Sequence, residues 1–157
     1  MEETRPARRY LDNAATTWPK PPTVLAAWNR AAQEVGATAG RGLYAHAIEA
    51  EAIRGRVRGA VARLLGGVDP GRVALPASCT LALNMAIRGL VRPGDHVIAT
   101  AADHNATLRP LNRLATSGGI DWTVVPCDAR GQVDPDAIAR AWRPTTRLVV
   151  CSHVSNV

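Results

Sequence analysis

The stretch "HVIATAADHNATLRPLNRLATSGGIDWTVV" (His96–Val125) shows most clearly how this chain is built. It opens with "HVIAT" and closes with "DWTVV", two short apolar runs rich in the β-branched residues that favour strands. Between them, Leu108, Leu111 and Leu114 recur at the spacing of one helical face, and Gly118-Gly119 ends that pattern. The stretch therefore predicts a strand, a helix and a second strand, which is the repeating unit of a parallel sheet.

The same alternation continues on both sides of this stretch. "RVALP" (72–76) and "RLVVC" (147–151) predict two further strands. Ser78 is a candidate N-cap for the helix that follows the first of them, and Asp134-Pro135 marks the start of another helix. Strands that alternate with helices in this way predict an α/β fold, with a largely parallel sheet sandwiched by helices.

Upstream of residue 72 the pattern is helical. Apolar residues from Val24 to Val35 fall on one helical face, which Gly36 ends, and a second helical pattern runs from Ile53 to Leu64. The glycine-rich segment "GATAGRG" lies between these two patterns and is predicted to be irregular.

Length and composition place the chain among globular proteins. Its 157 residues match one ordinary domain, and 46% hydrophobic with 20% charged residues is a globular balance. No apolar run approaches the roughly 18 residues of a membrane span, and the charged start "EETR" does not resemble a signal peptide. Cys79, Cys127 and Cys151 are too widely spaced to indicate a disulfide framework or a zinc site. We therefore expect a cytoplasmic protein with reduced thiols, no metal site and no membrane association.

The positive charge requires a separate interpretation. The formal net charge is +6, and Lys20 is the only lysine, so nearly all of the basic residues are arginines. They are scattered along the predicted helices without the interleaved aromatic residues that stack on bases. This pattern favours a solvated basic surface over a nucleic-acid-binding surface, and no nucleic-acid partner is predicted.

Candidate site residues follow the predicted strands, because ligands of open parallel sheets bind beyond the carboxyl ends of the strands. Cys79 and Thr80 lie at a helix start, where free amides suit a phosphate group, although a simple N-cap explains the same residues. His104 follows "HVIAT" and is either a ring-stacking, proton-transferring group or a helix cap. Asn156 follows "RLVVC" and is either a donor to an anionic oxygen or a turn residue.

Six motifs in order carry a family resemblance: "YLDNAATT", "GRG", "ASCTLALN", "PGDHVI", "ADHNATLRPL" and "TRLVVCSHVSN". This set resembles the amino-terminal part of the class V aminotransferase-like enzymes, and most closely the cysteine desulfurases with their selenocysteine lyase relatives. The resemblance implies part of the large domain of the fold-type I PLP-dependent transferase fold. Residues 1–22 would form an N-terminal arm, and residues 23–157 the N-terminal part of that large domain.

The resemblance also implies a cofactor, pyridoxal 5'-phosphate (PLP), which acts as an electron sink. Cys79 and Thr80 match the positions that bind its phosphate group. His104 matches the histidine that lies over the pyridine ring and assists proton transfer as a catalytic residue. Asn156 matches the asparagine near the phenolic oxygen of the ring.

Substrate and partners follow from the same resemblance. Asn13, Ala14 and Ala15 would border the pocket for an amino-acid substrate, cysteine or a similar one, and Arg41 would lie close to it. For the neighbouring Asp12 an Asx-type turn is an equally good interpretation. The family resemblance further implies a homodimer and a sulfur-acceptor protein as partners.

The sequence departs from the family pattern at several positions. Ser78 and Cys79 stand where a glycine and a small or hydroxyl residue are usual, and Leu81 stands where an acid is usual. The family's chemistry also needs a lysine that bonds covalently to the cofactor and an acid that pairs with the pyridine nitrogen. Lys20 matches no such position. We therefore expect this chain to be a truncated part of a PLP-dependent enzyme, inactive by itself.

Function is predicted at the level of the family reaction. The preferred reaction is cysteine desulfuration, which removes sulfur from L-cysteine to give alanine and a persulfide. A different family reaction, such as selenocysteine lyase, kynureninase-like cleavage or epimerisation, is the first alternative. A non-enzymatic phosphate- or nucleotide-binding α/β domain is the second, and an arginine-rich nucleic-acid binder is the third.

Overall fold

A computed structural model describes residues 9–154 of the chain. The chain divides into two compact units, with the division between Ala74 and Leu75. The boundary predicted from the sequence after residue 22 stays a prediction. Each unit is described by itself below.

The first unit is helical, as the sequence predicts. Helix α1 spans Pro22–Arg30 and continues into a π-helical turn, Ala31–Val35. Gly36 then adopts a left-handed conformation with φ 49°, which glycine tolerates and which ends the helix. Helix α2 spans Ala45–Leu64, and a short 3-10 turn follows at Pro70–Arg72. Both predicted helices are confirmed.

The second unit contains a three-stranded parallel sheet among its described residues, with strand order β2 (Asp121–Val125), β1 (His96–Thr100), β3 (Thr146–Val149). The central strand is therefore the first of the three in sequence, and the two later strands lie on either side of it. These strands and the helices of the unit are α3 (Cys79–Leu90), β1 (His96–Thr100), α4 (Asn105–Thr116), β2 (Asp121–Val125), α5 (Pro135–Arg140) and β3 (Thr146–Val149). The predicted α/β class with a largely parallel sheet and packed helices is confirmed.

The predicted strand "RVALP" is wrong. Arg72 ends the 3-10 turn, and Val73 is extended, with φ −89° and ψ 111°. No strand of the described sheet is hydrogen-bonded to residues 73–76. The apolar, β-branched composition favours an extended backbone, but a strand also requires a partner backbone, and Pro76 has no N–H to donate. The last predicted strand is confirmed with different ends, because β3 begins at Thr146 and ends at Val149.

Helices α3 and α4 cover one face of this sheet. Side chains alternate along a strand, so Val97 and Ala99 of β1 share this face. They form a buried cluster with Ile87 and Leu111, one residue from each helix, and with Val91. This cluster packs both helices against the same face of the sheet.

His96 lies on the opposite face of β1 and is almost completely buried. Its Nδ1 and Nε2 are hydrogen-bonded to the hydroxyls of Thr146, at 2.8 Å, and Thr123, at 2.9 Å, so one ring links all three strands. Burial lowers the pKa of His96 below its ordinary value, Arg143 lowers it further, and Asp121 opposes both effects. The imidazole is therefore held in its neutral form.

This lowered pKa predicts that acid destabilises the second unit. As the pH falls below about 6.5, the unfolded chain binds a proton at His96 that the folded chain accepts only at lower pH. We expect the free energy of unfolding, measured by urea titration, to decrease between about pH 7.5 and about pH 5.5. The His96→Gln variant should lose most of that slope. The matched His153→Gln variant should retain it because the ring of His153 is exposed; equal slopes in the wild type and His96→Gln would contradict the prediction.

Two kinds of feature are absent from residues 9–154. No helix there is long and apolar enough to cross a membrane. No group of three or more histidine, cysteine, aspartate or glutamate side chains is arranged to hold a metal ion. All three cysteines are free thiols, and Cys79 and Cys151 are exposed.

Candidate functional site

Helix α3 begins with a side-chain cap. The Ser78 hydroxyl accepts a hydrogen bond from the N–H of Leu81 at 3.1 Å, so the N-cap interpretation of Ser78 is confirmed. Cys79 and Thr80 are the first two residues of the helix, where backbone N–H groups have no carbonyl partner within the helix. The capping serine therefore satisfies Leu81 and leaves the amides of Cys79 and Thr80 available to a ligand.

Helix α4 begins in the same way, with an imidazole in place of the hydroxyl. Nδ1 of His104 accepts a hydrogen bond from the N–H of Ala106 at 3.0 Å, which makes His104 the N-cap of this helix. A backbone amide can only donate, so Nδ1 carries no proton. The neutral ring is therefore protonated at Nε2, on the edge directed away from the cap, and the side chain is exposed.

Asp103 joins two strand ends beside this histidine. Its Oδ2 accepts hydrogen bonds from the backbone N–H and the hydroxyl of Thr100, each at 2.8 Å. Its Oδ1 accepts a third, from the hydroxyl of Ser152, also at 2.8 Å. Asp103 is 7% exposed. Because it bonds to Thr100 and to Ser152, it connects the loop after β1 to the segment after β3.

The starts of α3 and α4 open onto one cleft of about 340 Å³. Two of the predicted site residues, Thr80 and His104, lie together in its lining. The lining is completed by Asn84, Arg88, Asn105, Ala106, Arg109, Pro110 and Arg113. Thr80 and His104 therefore meet at one cleft, although only His104 follows a strand of the described sheet, because residues 73–76 before Thr80's helix pair with no strand.

Sequence reasoning missed several residues of this region. Asp103 was not predicted, although an acid directly after a buried strand and next to His104 was a usable signal. Arg109 and Arg113 are separated by one helical turn, which places them on one face of α4. Cys79 is exposed at the helix start, as predicted, but is not among the residues that line the cleft.

Among the described residues, none of the remaining predicted site residues lines this cleft. Asn156 is outside the described residues. Asn13, Ala14, Ala15 and Arg41 belong to the first unit and are exposed. Their predicted place beside a substrate pocket stays a prediction.

The opening segment of the first unit is held by its own hydrogen bonds. The carbonyl of Asp12 accepts from the N–H groups of Ala15, at 3.2 Å, and Thr16, at 3.4 Å, so a turn forms through the backbone at this acid. The side chain of Asn13 accepts from the N–H of Trp18 at 3.3 Å. Nζ of Lys20 donates to the hydroxyl of Thr16 at 2.7 Å and to a neighbouring carbonyl. The only lysine of the sequence is thus bonded within this segment.

The profile of the aminotransferase class-V family matches residues 9–157, almost the whole chain. This chain belongs to the aminotransferase class-V family. The family resemblance inferred from the six motifs is confirmed over the same range.

Within the class-V family, the chain is similar to cysteine desulfurases. A probable cysteine desulfurase of Aeropyrum pernix is 38% identical over 152 residues, which cover 94% of this chain and 36% of that protein. A probable cysteine desulfurase of Pseudomonas aeruginosa is 34% identical, with 94% of this chain and 37% of that protein covered. The chain spans little more than a third of the length of these curated relatives.

A solved structure of the class-V family shares the fold. The apo structure of the cysteine desulfurase from Thermococcus onnurineus superimposes with a TM-score of 0.81 at 27% identity, covering 93% of this chain and 36% of that chain. The parallel sheet and its helices are therefore part of a cysteine desulfurase fold. The expectation from the sequence, part of the large domain of a PLP-dependent transferase, is confirmed.

Proposed function

We propose that this chain supplies the phosphate- and ring-binding residues of a PLP-dependent cysteine desulfurase. The observation that carries the proposal is that Thr80 and His104, from the starts of two neighbouring helices, line one cleft. The similarity to proteins named as cysteine desulfurases supports this reaction over the alternative family reactions. The proposed reaction removes sulfur from L-cysteine and gives alanine and a persulfide.

The start of α3 fits a phosphate group. The amides of Cys79 and Thr80 have no partner within the helix, and the positive end of the helix dipole favours an anion at this point. The Thr80 hydroxyl adds a further donor from the lining of the cleft. Ser78 already satisfies the amide of Leu81, which limits the phosphate contacts to the first two residues of the helix.

The start of α4 fits the planar ring of the same cofactor. The bond from Ala106 fixes the orientation of the His104 imidazole and leaves Nε2–H exposed for a proton-transfer step or a hydrogen bond. Asp103 holds the loop that bears this ring, through Thr100 on one side and Ser152 on the other. When bound, PLP would supply an electron sink for the reacting substrate. The imidazole of His104 would stack on the pyridine ring of PLP.

The proposal assigns the other predicted residues as follows. Asn156 would donate to the phenolic oxygen of the cofactor ring, and Asn13, Ala14, Ala15 and Arg41 would border the amino-acid substrate. The lysine that bonds to the cofactor would come from outside these 157 residues, since Lys20 is engaged in its own segment. We also propose a cytoplasmic homodimer that passes sulfur to an acceptor protein.

Binding of PLP to the isolated chain tests this assignment. We expect PLP to bind weakly and mainly through its phosphate, so pyridoxal without the phosphate should not bind measurably. The Thr80→Val variant keeps the shape of the side chain but removes the hydroxyl, and should weaken PLP binding about tenfold. Equilibrium dialysis or fluorescence titration measures the effect.

The matched control is Thr116→Val, which removes a hydroxyl from the far end of α4, where it donates to the carbonyl of Arg113. Its PLP affinity should equal that of the wild type. If the chain binds pyridoxal as tightly as PLP, the phosphate site at α3 is wrong. If inorganic phosphate binds as tightly as PLP, the ring contact with His104 is wrong, and a general phosphate-binding domain becomes the better description.

A further inference from the structure

Two rows of polar side chains line the groove between α3 and α4. In each helix the row advances by one turn at a time, at positions i, i+4 and i+8, so each row is about 12 Å long. The rows are Thr80, Asn84 and Arg88 on α3, and Asn105, Arg109 and Arg113 on α4. The hydroxyl and the amides lie towards the helix starts, and guanidinium groups occupy the rest of the groove, which we call the arginine groove.

The arginine groove is positive and carries no acid of its own. The segments 79–90 and 105–116, which form α3 and α4, contain no aspartate or glutamate. The ion pairs found among residues 9–154 involve other arginines, and none includes Arg88, Arg109 or Arg113. Three guanidinium groups therefore face one groove without a carboxylate from this part of the chain.

The floor and one rim of the arginine groove are apolar. Ala106 and Pro110 are buried residues of α4 that line the cleft, and their small size leaves room for an approaching side chain. On the solvent side of the α3 row lie Leu81 and Met85, which are 45% and 55% exposed. These two residues are one helical turn apart and form a continuous apolar rim beside the positive row.

From this combination we infer that the arginine groove binds an acidic amphipathic helix of a partner protein. Carboxylates on one face of such a helix would pair with Arg88, Arg109 and Arg113, and its apolar side chains would cover Leu81 and Met85. A small polyanion would use the arginines but not the apolar rim. A nucleic acid would use the arginines and the ring of His104, the one aromatic group of the lining, but it would leave the apolar rim uncovered. This inference does not depend on the proposed function, but the two sites adjoin, because Thr80 stands at the end of the groove where the cofactor phosphate is proposed to bind.

A designed peptide tests the inference on the full chain. The probe is a fluorescent amphipathic helical peptide with glutamates at i, i+4 and i+8 and leucines on the adjacent face. Its control has every glutamate replaced by lysine. We expect the acidic peptide to bind in a fluorescence anisotropy titration, with an affinity that falls as the salt rises from about 50 to about 300 mM, and the basic peptide not to bind.

Variants of this chain locate the binding surface. Arg109→Glu and Arg113→Glu should each weaken peptide binding about tenfold, because each replaces an attraction with a repulsion. The control Arg130→Glu makes the same change in charge at an exposed residue outside the groove and should leave the affinity within about twofold. Leu81→Gln combined with Met85→Gln should also weaken binding about fivefold while thermal unfolding is unchanged, since both residues are exposed.

Three results would reject the inference. An equal loss in Arg130→Glu would show that only the net charge matters. Unchanged binding after the two glutamine substitutions, together with full competition by inorganic polyphosphate, would identify a polyanion site in place of a protein-docking surface. Tighter binding of a single-stranded oligonucleotide than of the acidic peptide would identify a nucleic-acid surface. Loss of PLP binding in Thr80→Val with normal peptide binding would leave this inference intact, so the two proposals fail separately.

Discussion

Replacing Asp103 with alanine is expected to lower the free energy of unfolding of the second unit by about 4 kcal/mol. The side chain accepts three hydrogen bonds, two from Thr100 and one from Ser152, and it is buried. Its removal leaves the buried N–H of Thr100 without this acceptor and separates the segment after β3 from the loop after β1. Urea unfolding followed by circular dichroism measures the loss.

An exposed aspartate provides the matched control. Asp128 accepts hydrogen bonds from the N–H groups of Arg130 and Gln132, each at 2.8 Å, but it lies in an exposed turn where water can replace it. Asp128→Ala should therefore cost much less than Asp103→Ala. Ser152→Ala, which removes a single bond to Asp103, should cost about 1 kcal/mol. If Asp103→Ala is as stable as Asp128→Ala, the three bonds do not hold the two strand ends together.

Replacing His104 with asparagine is expected to weaken PLP binding about thirtyfold, while stability is unchanged. The variant separates two roles of one side chain. Asparagine is among the best N-cap residues, so the bond to the N–H of Ala106 is retained. The aromatic ring is lost, and stacking of this kind is worth about 2 kcal/mol. Fluorescence titration with PLP and thermal unfolding of the same samples measure the two effects.

His104→Ala is the comparison variant for this experiment. It removes both the ring and the cap, and should bind PLP as weakly as His104→Asn but unfold more easily, by about 1 kcal/mol. The ring has no role in binding if His104→Asn binds PLP with the affinity of the wild type. A loss of stability in His104→Asn equal to that of His104→Ala would instead show that the cap is not formed by this side chain.

Most of the fold follows from local sequence patterns. Helices α1 to α4 were predicted because their apolar residues repeat on one face, and because Gly36 and Ser78 mark an end and a start. Strands β1 and β2 were predicted from short runs of β-branched residues. "RVALP" has the same local character, yet it pairs with no described strand. Pairing depends on another part of the chain, which the pattern of a single segment does not contain.

The candidate site shows the same division between local and distant information. The rule for strand ends predicted Thr80 and His104 in one site, and both line one cleft, but only His104 follows a strand of the described sheet. The partner of Asp103 was not predictable from its neighbours, because Ser152 lies 49 positions away in sequence. The arginine groove was missed for a similar reason, since its two rows meet only when α3 packs beside α4. The roles of Asn156 and of the first-unit residues rest on the family resemblance.

The capped start of α3 has a consequence for how this sequence can change over evolutionary time. If the phosphate is held mainly by main-chain amides, mutation at Cys79 alters a side chain that does not carry the interaction. Such a position is free to change among small residues, whereas Thr80 acts through its hydroxyl and is constrained. A saturation library selected for PLP retention should therefore accept many residues at position 79 and few at position 80.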